Sequence, residues 1–175
     1  MATERPGPTE YGEFYAGYVD RLGEEPILEV LAGQLDGLGA LLDRLTPDGA
    51  DFRYEPEKWS VKQVLGHLAD SERIFGMRAT CIARGETTPL PGFEQDEYVE
   101  HGGFEEREVE SLRGELEMLR GANLEMFHAL GEKQWNRMGR ASDSPVSVRA
   151  LAWIIAGHLD RHLESLRERY APAFD

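Results

Sequence analysis

Along four separate stretches of this chain apolar residues return at alternating intervals of three and four. That periodicity commits the chain to amphipathic helices packed side by side. The first stretch begins near Pro26, a residue suited to the first helical position, and carries Leu28, Leu31, Leu35, Leu38, Leu42 and Leu45. The second opens on Ser60, which forms a capping box with Gln63 while Trp59 packs on Val64 as a staple. Its seam of Val61, Leu65, Leu68, Glu72, Phe75, Ala79 and Ile82 runs to Arg84, with Gly85 as the stop. The third covers 104–130 with Val109, Leu112, Leu116, Leu119, Asn123, Met126 and Leu130, and Gly131 as its stop. The fourth starts at Ser147, with Val146 and Leu151 as its staple, and ends near Tyr170. Ahead of them, Tyr11, Phe14, Tyr15, Tyr18 and Leu22 predict a short aromatic helix that docks on the bundle or roofs a pocket. Strand signals are few. The expected fold is all-α: a four-helix bundle plus a short N-terminal helix, one domain over 11–175 after a flexible tail at 1–10. The connection 85–103 is too long for a tight turn, so it is expected to cross the bundle or form a lid.

Charge narrows the partners. Acidic side chains exceed basic ones by 33 to 19, a formal net charge of -14, which repels phosphate backbones and anionic lipid surfaces. Nucleic acid and membrane are excluded as expected partners, and no apolar run approaches the roughly 18 residues needed to span a bilayer. The lone Cys81 cannot form an internal disulfide, and the first residues lack the apolar core of a signal peptide, so a cytoplasmic setting is expected. The aromatic helix around Phe14, Tyr15 and Tyr18 offers apolar area beyond what four helices need, which predicts a homodimer.

The fourth seam reads Val148, Leu151, Ile155, His158, His162, so two imidazoles stand where a packed helix would place Leu or Ile. One turn apart on one face, they form a pair of ligands for a metal ion. The alternative is two core histidines satisfied by hydrogen bonds. An open metal site needs a third protein ligand, and His67, at the flank of the second helix, is the best candidate. Asp70, Ser71 and Glu72 could orient His67 from behind, and Glu72 has the strongest case because it faces the seam. A zinc-peptidase motif is ruled out because Leu159 stands where the glutamate of HExxH belongs, and the paired Glu-x-x-His motifs of a di-iron bundle are lacking. His128 and His101 are read as a helix-end residue and a connection residue rather than ligands.

The residues from Trp59 to Arg73, Pro89–Phe93, and Val146–Leu151 running into Ile155–His158 resemble the DinB/YfiT-like superfamily, and the likeness extends from about Tyr11 to Tyr170. The resemblance implies a four-helix bundle with crossover connection and one divalent metal held by His67, His158 and His162. Zinc or nickel head the expected metals, with iron, cobalt or manganese behind them. Some members of this family activate a low-molecular-weight thiol for transfer or isomerisation, and one is a zinc-dependent hydrolase. The expectation is therefore a metal-dependent enzyme acting on a small-molecule substrate, with water or a thiol cosubstrate as nucleophile. The alternative is a non-catalytic protein in which the metal is structural or sensory. Where many relatives carry a further histidine before the last, this chain has Arg161.

Overall fold

The four expected long helices all form in the computed structural model, which describes residues 3–175. A 3-10 turn at Glu13–Tyr15 leads into α1 (Ala16–Val19), followed by α2 (Ile27–Leu42) and α3 (Val61–Arg84). The remaining α-helices and strands are α4 (Gln95–His101), α5 (Val109–His128), α6 (Glu132–Trp135), β1 (Met138–Ala141), β2 (Ser144–Ser147) and α7 (Val148–Glu168). Local chemistry sets the sharpest boundaries. Ser60 Oγ accepts from the Gln63 amide at 3.2 Å while Gln63 Oε1 accepts from the Ser60 amide at 3.0 Å, so two otherwise orphaned donors at the start of α3 are satisfied. Gly85 closes that helix at φ 98, a left-handed conformation that costs glycine little. Ser147 Oγ accepts from the Ala150 amide at 2.9 Å and opens α7.

α3 packs against α5 and α7, and α2 packs against the same two helices, so α2 and α3 lie on a diagonal. Contacts run in rising order between α3 and the α5 segment, with Gly66 against Phe104, Glu72 with Arg120 and Gly76 against Asn123, so these helices are parallel. Between α2 and α5 the order reverses: Leu31 meets Arg120 and Asp43 meets Arg113. Neighbouring parallel helices need a connection that travels the length of the bundle, and residues 85–108 make it. The long connection is the expected crossover, with α4 embedded in it.

The structure departs from the sequence reading in four places. α2 ends at Leu42, and Leu45 instead forms a β-bridge with Phe174. The third helix begins only at Val109, after a separate 3-10 turn at Phe104–Glu106, and Gly131 caps α6 rather than stopping α5. The hairpin β1–β2 was unanticipated: its two-residue turn is Ser142–Asp143, both at positive φ (48 and 59), where Asn-Gly would have advertised it. Finally, residues 1 and 2 of the expected tail lie outside the described residues, but the rest of it is tethered. The Arg5 guanidinium donates to the Val19 carbonyl at 3.0 Å and lies 5.0 Å over the Trp153 ring, and Glu10 pairs with Arg149.

Candidate metal centre

His67 reaches the bundle interior from α3, and His158 and His162 reach it from α7. Each of the first two follows a glycine, and the reason is packing. A Cβ at Gly66 would collide with the Phe104 ring, and one at Gly157 with the Tyr18 carbonyl oxygen. The close approach at Gly157 brings α1 down onto α7, so that the Tyr18 ring stands 5.4 Å from His158, edge to face. Trp59 lies 4.7 Å from His67, and Phe75 lies 5.9 Å from His158. His67, expected at the flank of its helix, is buried at 2% exposure.

The three rings converge. Their centroids are 4.9 Å apart for His67 and His158, 5.0 Å for His67 and His162, and 4.6 Å for His158 and His162. One ring nitrogen from each lies within 4.8 Å of the other two, the arrangement of a group that could hold a metal ion. His67 Nε2 faces His158 Nε2 at 3.0 Å. Burial holds all three imidazoles neutral. It pushes His67 down to about 3 and His162 to about 4, helped by the neighbouring His162 in the first case and by Arg161 in the second. His158 is held well below the usual range by burial and then by His162, His67, Arg161 and Arg120. Neutral imidazole is the form that ligates a metal. Three nitrogen donors suit a divalent ion and leave its charge uncompensated, so this donor set fits the group the sequence implies.

Of the three side chains named as possible supports of His67, Asp70 and Glu72 are engaged elsewhere. Asp70, half-buried, pairs with Arg73 at 3.2 Å, and burial, its largest influence, raises its pKa. Glu72 does face the interior, and its partner is Arg120: Oε1 accepts from Nε and Oε2 from Nη2, each at 2.9 Å. Asn123 adds a bond to Oε1 at 2.9 Å. Arg120 also donates to the Leu31 carbonyl at 2.8 Å, so one buried cluster ties α2, α3 and α5 beneath the histidines. A seam drawn through Leu119 hides Arg120; the spacing Leu112, Leu116, Arg120, all buried, is the sequence signal for it. Ser71 Oγ is buried and has no hydrogen-bond partner among the described residues. His101 and His128 are exposed and outside the cluster, on α4 and in the last turn of α5.

Two cavities reach the cluster. One of about 530 Å³ is lined by His67, His158, Ser71, Tyr18, Phe75 and Phe93 among others. A second of about 500 Å³ is lined by His162, Trp59, Arg161 and Tyr170. Asp96 of α4 lines both, so the crossover connection covers the site as a lid would. The Phe93 ring of that connection lies 5.3 Å from Tyr98, tilted at 57°.

Among solved structures, YfiT from Bacillus subtilis is similar in fold, with a TM-score of 0.77, 18% identity, and coverage of 86% of this chain and 89% of that one. It is described as a probable metal-dependent hydrolase with an unusual four-helix bundle topology. No curated protein matches the sequence. A family model described as the DinB superfamily matches residues 31–166, most of the bundle and all three histidines. The chain belongs to the DinB superfamily.

Proposed function

We propose that this protein is a mononuclear, divalent-metal-dependent hydrolase whose ion is held by His67, His158 and His162. The observation that carries the reading is the convergence of three neutral ring nitrogens within 4.8 Å of one another, His67 and His158 buried and His162 half-buried, with His67 and His158 lining a cavity large enough for a small organic molecule. A divalent ion in such a set supplies Lewis acidity, which makes a nucleophile available near neutral pH. The chain's own contribution is placement. Trp59, Tyr18 and Phe75 fix the rings and keep the surroundings apolar, and the Glu72–Arg120 pair braces the helices that carry them. The likeness to a neighbour described as a probable metal-dependent hydrolase supports water as the nucleophile.

A second reading, transfer of a low-molecular-weight thiol, is favoured by one feature: the cluster meets two cavities, which gives room for two reactants. The two are separated by a panel of small amides and esters assayed with and without added thiol, on protein purified without an affinity tag. Hydrolysis predicts thiol-independent turnover that a chelator abolishes and added zinc or nickel restores. Turnover only with thiol present would decide for transfer, and chelator-resistant turnover would overturn both.

A further inference from the structure

The cavity on the His67 and His158 side has a distinctive lining. Its walls are aromatic, with Tyr15, Tyr18, Phe75 and Phe93, and Phe14 stands at its mouth with 78% of its surface exposed. Its charged lining residues are Glu94, Asp96 and Asp143, all acidic, and none of the three carboxylates has an ion-pair partner among the described residues. Arginines do lie close by. Arg78 sits 5.7 Å over the Phe75 ring and 5.8 Å over Phe93, and Arg161 sits 5.7 Å over Tyr18, but neither lines this cavity. Arg78 Nη2 is occupied, donating to the Pro91 carbonyl at 2.6 Å and to Ser142 Oγ at 3.0 Å, while its buried Nε has no hydrogen-bond partner among the described residues.

At the histidine end stands Ser71, one turn beyond His67. Its side chain is 1% exposed, it lines the cavity, and its hydroxyl has no partner among the described residues. A buried hydroxyl without a partner carries a desolvation cost that a ligand's polar group would remove. Acidic groups beside aromatic faces select a cation, because a ring face and a carboxylate both attract an ammonium and a carboxylate repels another anion.

We propose that this cavity binds a small amine with an aromatic or apolar body, its ammonium held by Glu94, Asp96 and Asp143 at the mouth and a polar group at its other end hydrogen-bonded to Ser71 Oγ. The inference names the substrate class of the same site and so rests on the reading of the histidine cluster as the reaction centre. Anionic small molecules are disfavoured at the mouth, whereas an amine-bearing amide or ester presents its neutral end to the histidines.

Three probes test it by calorimetric titration of the full chain, first stripped with chelator and again after metal is returned. Tyramine carries both an ammonium and a ring hydroxyl; tyrosol replaces the ammonium with an alcohol; 2-phenylethylamine lacks the ring hydroxyl. In the stripped protein tyramine should bind about tenfold more tightly than either of the other two, the ratio that 1.4 kcal/mol gives. The exposed-site double variant Asp96→Asn, Asp143→Asn should erase the preference for tyramine over tyrosol. Ser71→Ala should erase the preference for tyramine over 2-phenylethylamine while circular dichroism stays unchanged. Equal binding of tyramine and tyrosol, binding of none of the probes, or a preference that survives its own variant would overturn the proposal. If these ratios hold but no metal binds, the metal reading fails and the amine site stands. If metal binds and the ratios are absent, the outcome is reversed.

Discussion

Three imidazoles occupy positions where a helical bundle ordinarily buries leucine, and their neutrality links the site to stability. Burial holds His67 near 3 and His162 near 4, against an unfolded value of 6.5. Between those limits the unfolded chain binds more protons than the folded one, so acid favours unfolding. The metal-free protein should therefore keep full stability above about pH 6.5 and lose it progressively as pH falls toward about 4, with these residues adding nothing further below about 3. Urea melts across that range check it, and a flat profile would show that the rings are not buried as described. At Glu72 the ledger is electrostatic. Removing one partner of a buried ion pair strands the other, so Glu72→Ala should cost about 3–5 kcal/mol, while the double variant Glu72→Met, Arg120→Met should recover most of it. Equilibrium denaturation of the three proteins decides the matter. His158, His162 and Glu72 were legible in the sequence because a polar residue on an apolar seam is conspicuous, whereas His67, at the flank of its helix, was legible only as the third ligand that the pair requires. Arg120 was not, and Ser71 was legible only as a possible support of His67, not as an unpartnered hydroxyl lining the cavity. An arginine beside a leucine seam reads as solvent-facing until the helix's rotation is known, and a lone serine shows nothing of what it lacks.

At the scale of elements, end signals carried the reading and middle segments defeated it. The Ser60 box, the Gly85 stop and the Ser147 cap fix α3 and the start of α7 at the expected residues, because capping chemistry is local. The hairpin was invisible because strands of four residues with a Ser-Asp turn have neither the length nor the turn residues that mark one. Its place against α3 depends on Gly139, where a Cβ would collide with Ile82. The docking of α1 is equally contingent on a missing side chain. Gly157→Ala should raise helix propensity yet destabilise the protein, because the new methyl meets the Tyr18 backbone and pushes α1, with the Tyr18 ring, away from His158. A melting temperature lowered by several degrees, with far-ultraviolet dichroism of native shape, is the expected result; an unchanged or raised melting temperature would contradict this packing.

For the molecule as a whole, the parallel pairing of α3 with α5 explains why so long a connection is retained. A helix the length of α5, 20 residues, spans about 30 Å, which takes roughly nine or ten extended residues to cross. The rest of the 85–108 segment is free to form α4 and to carry Phe93 and Asp96 over the histidines. Among the described residues no helix is long and apolar enough to cross a membrane. Two core clusters, one around α1 and the hairpin end and one around the opposite end of α7, bury leucine-rich surface independently of any ion. The metal-free protein should therefore remain helical, with metal raising its melting temperature by linkage. The most direct test is elemental analysis of untagged protein, wild type against the double variant His158→Ala, His162→Ala, with circular dichroism on both. The account predicts about one divalent ion per chain in the wild type and none in the variant, with both proteins helical. Equal metal content in the two would contradict it.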